Sequence, residues 1–353
     1  MNHLYLQTAF LGDLLLSIPS LKRMRIWDPQ AHITLLCRKG LGEVMQNLRV
    51  CDEVIEVDKK DKKSLEALMS KITEKEYDYI FSPHQSLRSH GYVKNIKAKY
   101  KVGYKKIWNK SHFTHRARRS LDLPEAIRQL ELLALVDKDL YEKIDRYTYS
   151  EENFNVPSWA KMSIPHLAWP EEDYSVIEAK LLKQFDFSKP YICIAPGSVW
   201  PTKRWTEDGF VRSSIMLARE GFQIVILGAP DERELCERVQ RQIPRSVSMA
   251  GNLSIWQSMM VLSKAKALIC NDSGAMHMAA VVETPLVSIF GPTVKELGYR
   301  PWSDESVVLE NHKLLCRPCG QHGSIKCPIG THDCMKSVKP QEVLKSLGSM
   351  VSL

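Results

Sequence analysis

Short apolar runs alternate with longer amphipathic stretches along most of the chain of 353 residues. Apolar runs of about four to eight residues that end at turn residues are typical of strands in a buried parallel sheet, and amphipathic stretches of about ten or more residues are typical of helices. The first half therefore predicts a parallel α/β sheet. Its predicted strands are 3–8, 33–37, 54–57, 79–82 and 101–104, and its predicted helices are 14–26, 42–48, 64–74 and 125–136.

A polar, proline-containing stretch at 151–170 interrupts the alternation, and we interpret it as the crossing between two domains. The predicted fold class is α/β, with Rossmann-like doubly wound domains at 1–160 and 161–335 and a C-terminal helix at 336–353 that can pack back on the first domain. If the two domains face each other, the carboxyl ends of both sheets line a shared cleft, where such sheets bind ligands. In the second domain the predicted strands are 191–195, 223–227, 267–270 and 285–290, and the predicted helices are 206–220, 231–242, 254–264 and 274–282.

The charge of the chain favours anionic partners. Its formal net charge is +8, from 49 Lys and Arg against 41 Asp and Glu, which suits phosphates, nucleic acid or an acidic membrane face. No apolar run reaches the roughly 18 to 20 residues of a membrane span, and the N-terminus lacks the basic and apolar regions of a secretion signal. We therefore expect a cytoplasmic protein without a transmembrane segment.

Two loops of the second half could bind a phosphate. In 197–205, Ser198 and Thr202 offer hydroxyl groups, and Lys203 with Arg204 supplies positive charge before a helix whose N-cap would be Thr206. The alternative is an ordinary basic surface loop.

The second loop is 271–277, at the start of a predicted helix. There the N–H groups of Ser273, Gly274 and Ala275 would point at a diphosphate, unless Asp272 or Ser273 merely caps the helix. His277, one turn into that helix, reads as a packed or hydrogen-bonded residue.

Carboxylates follow two other predicted strands. Glu232 could bind the ribose hydroxyls of a nucleotide, as acidic residues do at strand ends of this fold; the alternative is that Asp231 caps a helix with Glu232 in its first turn. Asp13 follows the first strand among glycine and apolar neighbours. Partial burial there would raise its pKa towards the range of a general base, and the alternative is again an N-cap.

These loops together resemble the lipopolysaccharide core heptosyltransferases, which are glycosyltransferase family 9 enzymes of the GT-B architecture. The matching blocks are 7–19, 195–198 with 203–205, 271–277 and 290–293. The cysteine-rich tail is similar to that of members resembling heptosyltransferase II. The resemblance implies that L-glycero-D-manno-heptose is transferred from ADP-heptose to Kdo or the first heptose of the inner core, with inversion and without an obligatory cofactor or metal.

The resemblance also implies roles for individual residues. Asp13 matches the general base, Lys203 the lysine at the donor phosphates and sugar, and Asp272 the acid that holds heptose hydroxyls. The full set of predicted donor-binding residues is Ser198, Val199, Lys203, Glu232, Asp272, Ser273, Gly274 and His277.

Basic residues of the first half suit a lipid A–Kdo acceptor at the inner leaflet, and they imply peripheral contact with the inner membrane. The predicted acceptor-binding residues are Lys59, Lys60, Lys63, Arg88 and Lys105. For each of them, solvated surface charge is the alternative.

Four cysteines cluster near the C-terminus, at Cys316, Cys319, Cys327 and Cys334. They could hold a structural zinc ion, but the last two are separated by six residues and lack the compact spacing of a zinc ribbon. We therefore predict no metal site and favour packed or redox-labile thiols.

Three other functions are alternatives to this interpretation. A nicotinamide-dependent oxidoreductase would share the fold class, but Gly40-Leu41-Gly42 is followed by Met45 where the dinucleotide fingerprint needs a third glycine. A nucleic-acid binder would suit the charge, but the basic residues form no recognised module. A transferase of the same fold that uses another nucleotide sugar, or a later core position, stays open.

Overall fold

The computed structural model describes residues 1–61, 66, 69–70, 72–164, 167, 169–181, 185–186 and 189–352. The chain divides into two compact units, Met1–Met162 and Ser163–Leu353, which we call unit 1 and unit 2.

Unit 1 is built on a six-stranded parallel sheet in the order β3-β2-β1-β4-β5-β6. This is the strand order of the Rossmann fold, in which the order of the strands along the chain reverses between β1 and β4. The predicted strands of this half are all present. The strands are β1 (Asn2–Gln7), β2 (His32–Arg38), β3 (Glu53–Val57), β4 (Glu76–Ser82), β5 (Lys97–Tyr104) and β6 (His115–Ala117).

Unit 2 repeats this topology, with the order β12-β11-β10-β7-β8-β9 and all pairs parallel. Its switch point lies between β7 and β10. The prediction of two doubly wound α/β domains is therefore confirmed. The strands are β7 (Tyr191–Ala195), β8 (Gln223–Ile226), β9 (Ser246–Ser248), β10 (Ala267–Asn271), β11 (Leu286–Phe290) and β12 (Ser306–Glu310).

Helices connect the strands in both units. In unit 1 they are α1 (Leu11–Leu15), α2 (Ile18–Trp27), α3 (Gly42–Asn47), α4 (Leu87–Asn95), α5 (Glu125–Ala134) and α6 (Lys138–Asp145). In unit 2 they are α7 (Glu171–Leu181), α8 (Glu207–Arg219), α9 (Arg233–Gln240), α10 (Ile255–Lys264), α11 (Gly274–Val281), α12 (Asp333–Lys336) and α13 (Pro340–Gly348). Part of the predicted helix 64–74 lies outside the described residues.

The structure corrects two expectations about helices. The predicted helix 14–26 is two helices, α1 and α2, because Pro19 in the first turn of α2 has no N–H to continue the hydrogen-bond ladder. The C-terminal helix α13 belongs to unit 2, where Val343 and Leu347 are fully buried in the hydrophobic core. The apolar face of α13 thus packs against the sheet of unit 2, which is the nearer sheet along the chain.

The central strands are buried along their whole length, as β7, β10 and β11 show. Parallel sheets covered by helices on both faces read as continuous apolar runs. These three strands carry no charged side chain, so charged groups of this sheet region lie beyond the strand ends. Within the described residues, none of the helices combines the length and apolar character that a membrane span would require.

Candidate functional site

In unit 2, two loops leave the neighbouring strands β7 and β10 at the switch point of the sheet. Asn271 joins them. Its Nδ2 donates to the carbonyl oxygens of Pro196 (2.9 Å) and Gly197 (3.1 Å), and its Oδ1 accepts from the N–H of Trp205 (2.8 Å). Asn271 is fully buried, so this cross-link fixes the relative position of the two loops.

The cross-linked loops bring Lys203 to Asp272. The Lys203 Nζ lies 2.6 Å from Asp272 Oδ2, and the two side chains are only 12% and 8% exposed. The Thr293 hydroxyl donates to the same oxygen at 2.6 Å, which leaves Asp272 Oδ1 without a hydrogen bond in the described part of the chain. Lys203 is thus held in a built site, and the alternative of an ordinary basic surface loop is wrong.

Arg204, next to this lysine, has a structural role. Its Nε and Nη2 both donate to the Ser198 carbonyl oxygen, at 2.9 and 2.8 Å, and so close the loop. Ser198 is buried and Val199 is exposed. Thr206 caps α8 as predicted, accepting from the N–H of Gly209.

The start of α11 is free of side-chain caps. Ser273 is the N-cap residue, but its side chain makes no capping hydrogen bond, and Asp272 is engaged with Lys203 instead. The capping alternative is therefore wrong for both residues. The first N–H groups of a helix then remain available to an anion, with the helix dipole adding to the attraction.

His277 lies one turn into α11 and is buried. Burial lowers the pKa of His277 to about 4, and Lys203 lowers it further while Asp272 opposes the shift. The imidazole is therefore neutral at pH 7. Its buried Nδ1 has no hydrogen-bond partner among the residues that the structure describes.

Glu232 lies beside the β7 loop. Its Oε2 accepts from the N–H of Ala229 at 2.9 Å, and its carboxyl group packs so closely on Gly197 that a Cβ there would lie 2.1 Å from Glu232 Cδ. Burial raises the pKa of Glu232. At the N-cap position of α9 it makes no side-chain cap, but its bond to Ala229 closes a capping box on the 3-10 turn 230–232. Asp231 is therefore not the cap, whereas the expected place of Glu232 in the first turn is confirmed.

The C-terminal segment 316–335 supports both loops, a contact that was not predicted from the sequence. Arg317 is almost completely buried and binds the carbonyl oxygens of Gly291 and Thr293 and the carboxylate of Glu310. On the other side, Thr202 exchanges hydrogen bonds with the Ser324 backbone at 2.8 Å. The segment thereby holds Thr293 behind Asp272 and holds the loop that carries Lys203.

The four cysteines of this segment are free thiols. Cys334 is buried, Cys319 and Cys327 are partly exposed and Cys316 is exposed. Within the described ranges, no group of three or more His, Cys, Asp or Glu side chains is placed to hold a metal ion. The zinc alternative therefore has no support in the geometry.

In unit 1, Asp13 lies in α1, directly after β1. The N-cap of α1 is Phe10, so the alternative of Asp13 as the cap is wrong. Burial raises the pKa of Asp13 to about 7, the nearby carboxylate of Glu125 raises it further, and Arg119 partly opposes the shift. A carboxyl group with such a pKa can accept a proton near neutral pH.

A buried polar network positions Asp13, and the sequence analysis missed it. Gln129 donates from Nε2 to the Asp13 carbonyl oxygen (3.2 Å) and accepts at Oε1 from Tyr5 (3.0 Å) and Ser17 (2.6 Å). Glu125, on the same helix, pairs with Arg119. The polar residues on the otherwise apolar face of α5 are the sequence feature that could have indicated this network.

The structure brings two of the predicted acceptor residues together. Lys59 donates to the Thr8 carbonyl oxygen, and Arg88 Nη1 lies 3.4 Å from the Lys59 carbonyl oxygen. The pKa of Lys59 is lowered by burial and by the charges of Arg38 and Arg88. Lys60 is exposed, and Lys63 lies outside the described residues.

Lys105 belongs to another cationic cluster. It lines an open pocket of about 880 Å³ in unit 1. Most of this lining was not singled out from the sequence. The lining residues are Lys105, Lys106, Ile107, Trp108, Lys110, Arg116 and Arg118.

The family model and the curated relatives agree on one family. The model of glycosyltransferase family 9 (heptosyltransferase) matches residues 65–329, about three quarters of the chain. The chain is 28% identical over 233 residues to lipopolysaccharide heptosyltransferase 2 of Salmonella typhimurium, covering 62% of this chain and 64% of the relative. It is 32% identical over 169 residues to lipooligosaccharide heptosyltransferase 2 of Campylobacter jejuni, covering 46% and 51%. The matches thus span less than two thirds of either relative.

The fold is similar along the whole chain to a solved structure. ADP-heptose lipopolysaccharide heptosyltransferase II of E. coli superimposes with a TM-score of 0.78 at 21% identity, and the match covers 99% of this chain and 98% of that one. The fold is that of the GT-B glycosyltransferases.

Proposed function

The chain belongs to glycosyltransferase family 9, the heptosyltransferases, and from this premise we propose that it transfers heptose from ADP-heptose to the inner core of lipopolysaccharide. The proposed donor sugar is L-glycero-D-manno-heptose, the proposed acceptor is Kdo or the first heptose, and the reaction inverts the anomeric carbon. No cofactor or metal is part of this proposal.

The pair of Lys203 and Asp272 beside the uncapped start of α11 is the observation that carries the proposal. As ADP departs, negative charge grows on the diphosphate and the sugar ring gains positive character. A fixed ammonium group and helix N–H groups stabilise the negative charge on the diphosphate. A carboxylate near the sugar stabilises the positive character of the ring. We assign the heptose hydroxyls to the free Oδ1 of Asp272.

Glu232 is our candidate for the ribose hydroxyls, because its carboxyl group lies against Gly197 in the loop that precedes Lys203. The other donor-side residues in the proposal are Ser198, Val199, Ser273, Gly274 and His277. His277 would serve as a neutral packing residue and not as a catalyst.

We assign the role of general base to Asp13. It would take the proton of the acceptor hydroxyl as that hydroxyl attacks the anomeric carbon. Its raised pKa supports this role, because a base with a pKa near the working pH transfers protons most efficiently.

Lys59, Lys60, Lys63, Arg88 and Lys105 are our candidates for contact with the acidic acceptor. Because that acceptor is lipid-linked, we also propose that the protein works in the cytoplasm, in peripheral contact with the inner membrane. Cation clusters in unit 1 support this part of the proposal.

Mass spectrometry of the products tests the proposal. Purified protein is supplied with Kdo–lipid A, or with the same acceptor carrying one heptose, and with a panel of nucleotide sugars. We expect the acceptor mass to rise by one heptose only when ADP-heptose is present. Transfer of a different sugar, or none from ADP-heptose, would refute the proposed donor.

A further inference from the structure

One edge of the unit 1 sheet exposes several large hydrophobic side chains. Leu87, Ile107, Trp108 and Leu121 are 75%, 101%, 47% and 68% exposed. They follow β4, β5 and β6, which are adjacent in the sheet, so all lie beyond the carboxyl ends of neighbouring strands. Single exposed hydrophobic residues are common on proteins, but a group at one edge marks an interaction site.

The turn that carries two of them is held rigidly. Asn109 in this turn is fully buried. Its Nδ2 donates to the Tyr104 carbonyl oxygen (2.9 Å) and lies 3.1 Å from His90 Nε2. Its Oδ1 accepts from the Lys106 N–H (2.9 Å). The ring of Trp108 packs edge-on against His90, with centroids 4.5 Å apart. These contacts hold the turn in a conformation that leaves Ile107 fully exposed.

The surroundings of this turn are strongly cationic. The adjoining pocket is lined by five Lys and Arg side chains and by no carboxylate. In the part of the chain that the structure describes, none of these five cations forms a salt bridge. A turn that combines exposed Ile and Trp with flanking lysines matches the boundary between lipid headgroups and acyl chains, where basic groups bind phosphates and apolar groups leave water.

We propose that this surface, which we call the Trp108 surface, docks the protein on an anionic phospholipid bilayer. It comprises Leu87, Lys106, Ile107, Trp108, Lys110 and Leu121. Cations alone would suffice for a soluble phosphate or carboxylate. Transfer of a fully exposed isoleucine is favourable only if it enters an apolar phase. The bilayer therefore accounts for both the cationic and the apolar side chains of the surface.

The inference rests on the proposed membrane contact, but not on the identity of the transferred sugar. Co-sedimentation with vesicles tests it, using phosphatidylcholine with or without phosphatidylglycerol. We expect the full chain to bind the anionic vesicles more tightly. Ile107→Asp should weaken this binding roughly ten-fold, since it removes an apolar side chain that would enter the bilayer and adds a negative charge that anionic lipids repel.

Leu315→Asp is the matched control, because Leu315 in unit 2 is 100% exposed and receives the same change. It should bind like the parent. Thermal unfolding of Ile107→Asp should also match the parent, since Ile107 contributes nothing to the core.

The charged half of the surface has its own matched pair. Lys106→Glu with Lys110→Glu should weaken binding at least ten-fold, given that each basic residue near an anionic membrane contributes about five-fold. Lys97→Glu with Lys99→Glu should have little effect, because both lysines are exposed in the first half of β5, away from its carboxyl end.

Two results would overturn the proposal. One is equal binding of parent and Ile107→Asp to anionic vesicles, and the other is an equal loss in Ile107→Asp and Leu315→Asp. Transfer by the parent to a water-soluble, delipidated acceptor separates this inference from the proposed function. Failure of that transfer with the vesicle pattern intact would refute the transferase and leave the docking surface standing.

Discussion

Asp13 is the residue on which the proposed chemistry depends most. Asp13→Asn keeps the shape of the side chain but removes its ability to accept a proton. We expect kcat to fall about 10²-fold or more, with little change in the Kd for the donor, as loss of a general base should produce. Steady-state kinetics measures kcat, and calorimetric titration with ADP-heptose measures the Kd for the donor.

The exposed residue Asp145 provides the control for this change, because it also lies in unit 1. Asp145→Asn should turn over normally. Near-normal turnover of Asp13→Asn would remove Asp13 from the proposed role.

The pH dependence of the reaction tests the environment of Asp13. Because the base must be ionised, kcat/KM should rise as the pH increases through about 7, the raised pKa of Asp13. Glu125→Gln removes a negative charge that raises this pKa and releases Arg119, whose positive charge lowers it. The acidic limb of the kcat/KM profile should therefore move to lower pH in this variant.

A merely structural role of Glu125 would lower kcat/KM at every pH without moving the midpoint. An unchanged midpoint, or one at higher pH, would contradict the assignment of that limb to Asp13.

The sequence alone was enough to select most of these candidate residues, because each lies in the loop or the first helix that follows a strand. Asp13, Lys203 and Asp272 could be selected on that ground. Their partners could not, since the bonds of Gln129 to Asp13 and of Thr293 to Asp272 join residues 116 and 21 positions apart. Such pairings depend on tertiary packing, which hydrophobic periodicity does not encode.

At the level of helices and strands, the limits of hydrophobic periodicity also explain which elements and contacts were not predicted. Buried, mainly apolar runs such as β10 were predicted, whereas β6, β9 and β12 were not. β6 and β9 have three residues each and carry too short a pattern to recognise, and β12 is only partly buried along its length. The support of the site loops by segment 316–335 was missed because that segment is mostly irregular in structure. Its fixed position comes from bonds made by Arg317 and Thr202.

The packing of the β7 loop against Glu232 gives a prediction at this scale. Gly197→Ala would place a Cβ within about 2.1 Å of the Glu232 carboxyl group, which must then move. We expect weaker binding of ADP, measured by calorimetric titration, because the candidate ribose ligand is displaced. Gly91→Ala is the control, since its Cβ would meet no atom within 4 Å; it should bind ADP normally.

If Gly197→Ala binds ADP as tightly as the parent, either the Glu232 side chain has shifted without harm or it does not contact the nucleotide. A comparison with Glu232→Gln would then separate a harmless shift of the side chain from the absence of any role. Normal ADP binding in both variants would remove Glu232 from the donor site.

At the scale of the whole molecule, each unit has its own sheet and its own set of candidate residues. A ligand that binds one folded unit stabilises that unit by an amount set by its concentration relative to Kd. ADP at about 100 times its Kd should therefore stabilise its binding unit by about 2.7 kcal/mol. The proposed function assigns this effect to unit 2.

Hydrogen exchange with and without ADP locates the stabilisation. Protection should be greatest in 197–205 and at the start of α11, where the N–H groups face the proposed diphosphate, and should be small in α5 of unit 1. AMP, which lacks the second phosphate, should protect α11 less than ADP at equal concentration, because the helix start and Lys203 then have less charge to bind. Protection that is centred on unit 1, or that AMP and ADP produce equally, would mean that the nucleotide diphosphate does not bind where Lys203 and Asp272 meet.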